Sequence, residues 1–449
     1  MRLKIRIESI FFVRYRRFAG KFRDEIKMEK NKITEKLRRL IDSNYKSDFQ
    51  KRELAARAQL KLQHEEYEAF FANKLKKAIE QEGLQPEIID DSLVESDFFP
   101  FEKPEYRVVT FQELTFGKAK AASVNDLSLV SGARFYYCRF AECTFSNIQF
   151  ENCSFVGCKF DECFTNNIGV VFDNCTFKSV IPGKKSVDDM FTTFDGCEMT
   201  ARFSGCDLSQ VVLNKTNLYF SQFQAINFNG AILCDCGFDT VVMSDCDFRG
   251  MKIVGTKFID FSLEDLNTRS RVDRNSFFGE IAFSPKLSRE VRFAAEAYGQ
   301  FNELFENNKV TILSGEYFYL FKKTDLLQLD RTSKVISYFG LLTCGYGERP
   351  FFSLILSTLI VAMCGLLYMV CGVSLNNEIL AYRPTLSHPL PDWGLVTNCF
   401  HFSLVTFSTT GYGNVTPLGG SLLVSAAEMV LGIVMVGVFV STLVRKTAR

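Results

Sequence analysis

The sequence predicts a mixed fold: an N-terminal helical region, a β-solenoid, a helical hairpin, and an all-α membrane domain of two spans with a re-entrant loop between them. Three observations carry this. Large apolar residues recur at every fifth position through much of 133–263, a period that neither a helix nor a flat strand has. Two apolar runs long enough to cross a bilayer lie near the C-terminal end. The segments on either side of the repeat carry helical spacing instead.

Residues 1–85 form a basic helical region. Residues 1–23 combine eight Lys and Arg with Leu3, Ile7, Ile10, Phe11 and Phe18. Two readings stand there: a basic amphipathic helix on an anionic membrane surface, or a basic helix packed on its own protein. Ile26, Ile33, Leu37 and Leu40 begin a heptad that then fails, so a hairpin or short bundle is expected rather than a long coiled coil. Pro86 to Pro104 reads as a linker, which closes at 107.

From Ala133 the chain falls into fives, "ARFYY CRFAE CTFSN IQFEN CSFVG CKFDE". Phe135, Phe140, Phe145, Phe150, Phe155 and Phe160 hold the centre of each unit. Two places earlier stand Ala133, Cys138, Cys143, Ile148, Cys153 and Cys158. The period resumes at Phe203 and runs through Leu208, Leu213, Leu218, Phe223, Phe228, Leu233, Phe238, Met243, Phe248, Ile253 and Phe258 to Leu263. A short fixed repeat means a solenoid whose coils bury their faces on one another. Lys178–Met190 breaks the period and is expected to be a loop off one face. The segment resembles the pentapeptide-repeat family. That resemblance implies a right-handed quadrilateral β-helix, here over 108–266, with the central residue and the small residue two before it pointing inward.

The repeat also accounts for most of the 15 cysteines as small side chains in a packed column. No leader of the secretory kind is expected, and disulfides and zinc are not expected either. Some pentapeptide-repeat proteins are DNA mimics that bind topoisomerase. Here Asp235, Asp239, Asp245 and Asp247 are interleaved with Arg202, Arg249, Lys252 and Lys257, which describes an ordinary solvated surface. The net charge of +1 gives no nucleic-acid signal. Three histidines with no nucleophile–base spacing or phosphate loop give an enzyme little support.

Residues 285–345 follow as a helical hairpin and interfacial linker. Leu287, Val291, Ala294, Tyr298, Phe301 and Phe305 share one helical face, Leu313, Tyr317, Leu320 and Leu327 another, and Asn307-Asn308 marks the turn. Val335–Leu342 is too short to cross a bilayer and is placed at its interface.

The membrane domain is 350–449. Phe351–Val373 has no charged residue, and Leu418–Val444 has one, Glu428. Arg349 precedes the first run, and Arg445, Lys446 and Arg449 follow the second. Basic flanks stay in the cytoplasm, so both termini are expected inside and Ser374–Ser408 outside. Gly-Tyr-Gly occurs twice, at 345–347 and at 411–413. Only the second lies between the spans, where irregular backbone can line a water path. The first is read as a turn. Ahead of the second, Asp392 can cap a helix from Trp393 whose C-terminal end points at the loop.

Thr406-x-x-Thr409-Thr410-Gly411-Tyr412-Gly413-Asn414, Pro417 and "EMVLGIVMVG" resemble the two-transmembrane potassium channels of prokaryotic type, over about the last 100 residues. The order solenoid, hairpin, pore resembles the pentapeptide-repeat ion-channel arrangement. The resemblance implies K⁺ as the only ion bound, held by carbonyls of Thr409, Thr410, Gly411, Tyr412 and Gly413. It implies a hinge at Gly432, a cytoplasmic gate near Gly437, and support of the filter by Thr406, Asn414 and Glu428. Asn414 stands where Asp is usual, and Val405 where some members carry a carboxylate. Gly432 can also be read as a packing glycine, Glu428 as a hydrogen-bonded group behind the pore helix, and His401 as packing or proton sensor. Cys364, Cys371 and Cys399 read as buried.

A homotetramer in the inner (plasma) membrane is expected, with the lipid bilayer around it and a cytoplasmic protein or ligand as possible partner of the solenoid. No cofactor is expected. No regulatory domain is expected after the pore, and no voltage sensor, since no span carries spaced arginines. A different class stays open: a scaffold that docks a protein on its repeats and uses the membrane domain as an anchor or non-selective cation channel.

Overall fold

The computed structural model describes residues 51–58, 69, 73, 76, 86–93, 96–177, 192–375, 378–382, 392–411 and 414–447. The chain divides into Met1–Ala58 and Gln59–Arg449. In the first unit, 51–58 are helical, with Arg57 paired to Glu53 one turn away. The reading of 1–23 lies outside the described residues, as do Tyr412, Gly413 and the Lys178–Met190 loop.

The second unit begins with the solenoid, about eight turns over residues 87–264. It has four faces, and its ladders are parallel. On the first, Phe111, Phe140, Phe160, Phe194, Leu213, Leu233, Ile253 and Phe278 stand in register. On another, Val130, Phe150, Phe172, Phe203, Phe223, Met243 and Leu263 do the same. Met199, Leu218, Phe238 and Phe258 line a third, and Tyr106, Phe135 and Phe155 begin the fourth. Where the repeat is regular, a residue meets its partner 20 positions on, as Val212 meets Ile232. Four units of five therefore close one coil.

The column of aromatic rings explains the abundance of Phe. Phe140 and Phe160 stack at 4.7 Å and Phe160 and Phe194 at 4.4 Å, nearly parallel, the offset contact that adds to area burial. The small residue two before each ring has a second task. Cys143 Sγ donates to the Phe111 carbonyl, Cys163 to Phe140, Cys206 to Phe172 and Cys236 to Leu213, always one coil back, at 3.3–3.4 Å. Thr216 Oγ1 does the same to Phe194 at 3.1 Å. A thiol or hydroxyl at this place turns an inward carbonyl into a satisfied one. Burial holds the Cys143, Cys236 and Cys246 thiols at about 12, so they stay protonated and unreactive at neutral pH.

Three features of the solenoid differ from those expected of the sequence. Glu87–Ile89 and Glu105–Arg107, placed in the linker, are strands of the ladders. Phe172, Phe177, Phe194 and Met199 are core positions that the broken period hid. The first ladder runs past 266 to Phe277–Phe278.

Helix α1 (Ser288–Asn307) and α2 (Thr311–Asp325) form the hairpin that closes the solenoid. Val291, Ala294, Tyr298, Phe301 and Phe305 are buried, as are Leu313, Tyr317 and Leu320; Leu287 and Leu327, at the ends, are exposed. The Tyr317 hydroxyl accepts from the Phe278 N–H at 2.9 Å and donates to its carbonyl at 2.7 Å. Lys257 of the last coil reaches Glu290 at 2.7 Å. Helix α3 (Arg331–Cys344) is capped by Asp330, whose carboxylate accepts from the N–H groups of Thr332 and Ser333. Its Val335, Ile336, Phe339 and Leu342 are exposed.

Helix α4 (Pro350–Cys371) and α6 (Ser421–Thr447) are the two candidate membrane-spanning helices, and α5 (Trp393–Phe407) lies between them in sequence. At 1.5 Å per residue the first spans roughly 33 Å, enough for the hydrocarbon core. Their outward residues, such as Val370, Leu423 and Ile433, are large and apolar, as a lipid-facing surface requires.

Candidate ion-conduction site

Helix α5 begins at Asp392, whose carboxylate accepts from the Gly394 N–H at 3.2 Å. It rests on α4 through a buried cluster of Cys364, Tyr368, Met369, Val373, Cys399 and Phe402. Cys371 falls on the exposed side instead. The helix ends in a Schellman turn. Thr409 N–H bonds to the Thr406 carbonyl and Thr410 N–H to the Val405 carbonyl, both at 3.1 Å.

The left-handed residue that such a turn needs is usually glycine. Here it is Thr409, with φ of 56°, a conformation that a β-branched residue rarely takes. Gly411 is left-handed again at 64°, and Thr410 between them is not. A regular strand points successive carbonyls to opposite sides. Alternating the hand from residue to residue turns them toward one side. In the first Gly-Tyr-Gly, Gly345, Tyr346 and Gly347 are left-handed in succession, at 54°, 57° and 82°, and form a tight turn.

The far end of the loop is tied down by strands the sequence reading did not foresee. Val415–Pro417 pairs antiparallel with Val373–Leu375, which also pairs with Glu378–Leu380. The loop is therefore held at one end by the cap of α5 and at the other by the residues that follow α4.

Behind the loop lies a cavity of about 470 Å³ lined by His401, Val405, Thr406, Thr409, Asn414 and Met429, among others. Asn414 and Val405, the two departures from the family pattern, thus face one space. His401 lines it too, on the exposed side of α5.

Helix α6 meets α5 twice, one turn apart. Glu428 is fully buried. Its Oε1 lies 2.5 Å from Ser403 Oγ of α5, and Oε2 accepts from the Tyr368 hydroxyl of α4 at 2.6 Å. Ser403 Oγ also lies 2.8 Å from the Val361 carbonyl, so one carboxyl joins all three helices. Tyr368 and Ser403 were missed from the sequence; an isolated carboxyl in an apolar run calls for hydroxyls on the facing helices, and these are two of them. Four residues on, Gly432 lies against the carbonyl of Phe407. A Cβ there would stand 2.0 Å from that oxygen, whereas one at Gly437 would meet nothing within 4 Å. The geometry at Gly432 is that of a contact glycine, and the open position is Gly437.

Residues 379–449 match the family model described as an ion channel, and residues 131–164 and 201–230 match pentapeptide repeats, in eight copies. The chain carries pentapeptide repeats and, C-terminal to them, an ion-channel domain. The channel domain takes in the last strands of the loop, α5 and α6; the repeats take in the regular coils of the solenoid. No curated protein matches the chain. Among solved structures, a trypsin-treated variant of QnrB1, described as a plasmid-mediated fluoroquinolone resistance protein, is 14% identical over 38% of this chain and 92% of its own, with a TM-score of 0.16. The pentapeptide repeat protein Rfr23 from the cyanobacterium Cyanothece 51142 is 12% identical over 46% and 99%, with a TM-score of 0.16. HetL from Nostoc sp. strain PCC 7120, described as involved in heterocyst differentiation regulation, is 9% identical over 37% and 80%, with a TM-score of 0.14. Scores of this size carry no argument about this chain.

Proposed function

We propose that the chain is one subunit of a homotetrameric, potassium-selective channel of the inner (plasma) membrane, modulated by the solenoid and hairpin. The observation that carries this is the handedness of Thr409 and Gly411 at the foot of α5. Alternation of hand continued through the loop would aim consecutive carbonyls one way, at the partially negative end of a helix, and such a row of carbonyls replaces water around a cation. One chain supplies one wall, so a closed ring of four supplies the cage. Thr409 to Gly413 are the ion-binding residues in this reading, with Tyr412 bracing the strand from behind. Thr406, Asn414 and Glu428 support them through α5 and the paired strands. Arg349 before α4 and Arg445 and Lys446 in the last turn of α6 keep both ends in the cytoplasm. The pivot of the inner helix is Gly437, which has room to bend, and Gly432 anchors the half above it.

The test is flux. Purified full-length protein in liposomes is expected to pass K⁺ and Rb⁺ and largely to exclude Na⁺. Gly411→Ala, which places a Cβ on a left-handed residue, is expected to abolish selectivity or conduction. Equal K⁺ and Na⁺ permeability of the wild type would falsify the selectivity.

A further inference from the structure

The first Gly-Tyr-Gly has no part in the pore, yet its geometry is built. The turn carries Glu348, which is buried at 5% exposure in a place where carboxylates are rare. Arg445, from the last turns of α6, reaches it at 3.2 Å. A Cβ on Gly347 would stand 3.1 Å from Arg445 Nη1, so the glycine leaves room for the guanidinium. The same guanidinium lies 5.2 Å above the ring of Phe318 on α2. Arg349, at the other end of the turn, makes a two-pronged pair with Glu316 of α2 and lies 4.7 Å over Tyr319.

Four consecutive residues of α2 therefore divide the work. Tyr317 is bonded both ways to the backbone of Phe278 at the end of the solenoid. Glu316, Phe318 and Tyr319 hold the two arginines that bracket the membrane domain. A rotation of α2 about its own axis would carry the Phe318 ring away from the Arg445 guanidinium, and Arg445 lies at the cytoplasmic end of the inner helix.

We infer that Arg445 is a positioning residue for the gate, seated in a socket made by Gly347, Glu348 and Phe318, through which the hairpin sets where the inner helix ends. This rests on the channel reading. The pair is charge-assisted; Glu348 is shielded from water while Arg445 is partly exposed, so reversal of Arg445 sets like charges together where water reaches only one of them.

The experiment is a charge swap in the full-length channel, read by single-channel recording in lipid bilayers. Arg445→Glu and Glu348→Arg are each expected to change the ratio of open to closed time by about tenfold or more, in the same direction. The double variant, which restores the pair with its charges exchanged, is expected to return to within about threefold of the wild type. The preference for K⁺ over Na⁺ should be unchanged in all three. Single variants that gate like the wild type, a double variant whose change equals the product of the singles, or singles that lose selectivity would each overturn the inference. Failure of the selectivity reading looks different: current carried equally by Na⁺, with the swap still rescuing the gating. Complete absence of current from the wild type overturns both.

Discussion

Gly432→Ala tests whether this glycine is a hinge or a contact. The added methyl would stand 2.0 Å from the Phe407 carbonyl oxygen and 3.0 Å from its carbon. A carbon–oxygen contact needs about 3.3 Å or more, so α5 and α6 must part by more than about 1 Å at this point. Alanine gains about 1 kcal/mol of helix propensity over glycine, and overpacking of this kind costs about 1–3 kcal/mol. The net loss of stability is then at most about 2 kcal/mol. The displacement matters more than the energy. Phe407 is the last residue of α5, and Thr409 follows two places on. The first filter residue is therefore expected to move with the carbonyl. Gly437→Ala is the control, because a methyl there meets nothing within 4 Å of the chain. Rb⁺ against Na⁺ uptake into liposomes, with melting temperature of the detergent-purified protein alongside, separates the two. Gly432→Ala is expected to lose selectivity or conduction. Gly437→Ala is expected to keep selectivity and to change only the open fraction. A Gly432→Ala channel with wild-type selectivity and altered gating would refute the contact argument and restore the hinge.

Other perturbations follow from the same contacts. Phe223→Asp sets a charge on a ring position that is 2% exposed and stacked 4.9 Å from Phe203; a loss of several kcal/mol is expected, read as a lower melting temperature of the β signal in circular dichroism. Glu428→Gln keeps a partner for both Ser403 and Tyr368 and should melt close to the wild type, whereas Glu428→Ala takes from the Tyr368 hydroxyl the carboxyl it donates to, Ser403 keeping the Val361 carbonyl, and should cost about 1–3 kcal/mol. The hydrogen bond from Lys257, then that from the Ser284 N–H, holds Glu290 below its ordinary value of 4.5. A lowered carboxyl contributes fully above that value and loses its contribution as pH falls through the lower folded one. The docking of α1 on the last coil should therefore weaken only below about pH 4.5, and Lys257→Met should flatten that part of the melting-temperature profile.

The solenoid was legible wherever its period held, because with a period of five each residue type at the centre repeats the same vote. It was lost where the spacing slipped. Between Asn166 and Val170 the ladder shifts register, so Phe172 and Phe177 fall out of phase with Phe160. Between Met199 and Phe203 one residue is missing from the count. The strand Glu87–Ile89 was invisible for a different reason: it joins the ladder by backbone bonds and leaves Ile88 exposed, so no side-chain pattern marks it. In the membrane domain the two apolar spans and the capped helix at Asp392 could be read from order along the chain. The role of Gly432 could not, because a glycine that bends and a glycine that touches are the same letter; only the position of the Phe407 carbonyl distinguishes them. The Arg445 socket was beyond reach for the same reason. Glu316, Glu348, Arg349 and Arg445 look like four ordinary solvated charges in sequence. They pair because the hairpin, fixed to the solenoid by Tyr317, sets α2 against the turn where α4 begins and α6 ends. Position in three dimensions converts a tripeptide that resembles a filter into a seat for an arginine, and it does so with the left-handed freedom of the same two glycines.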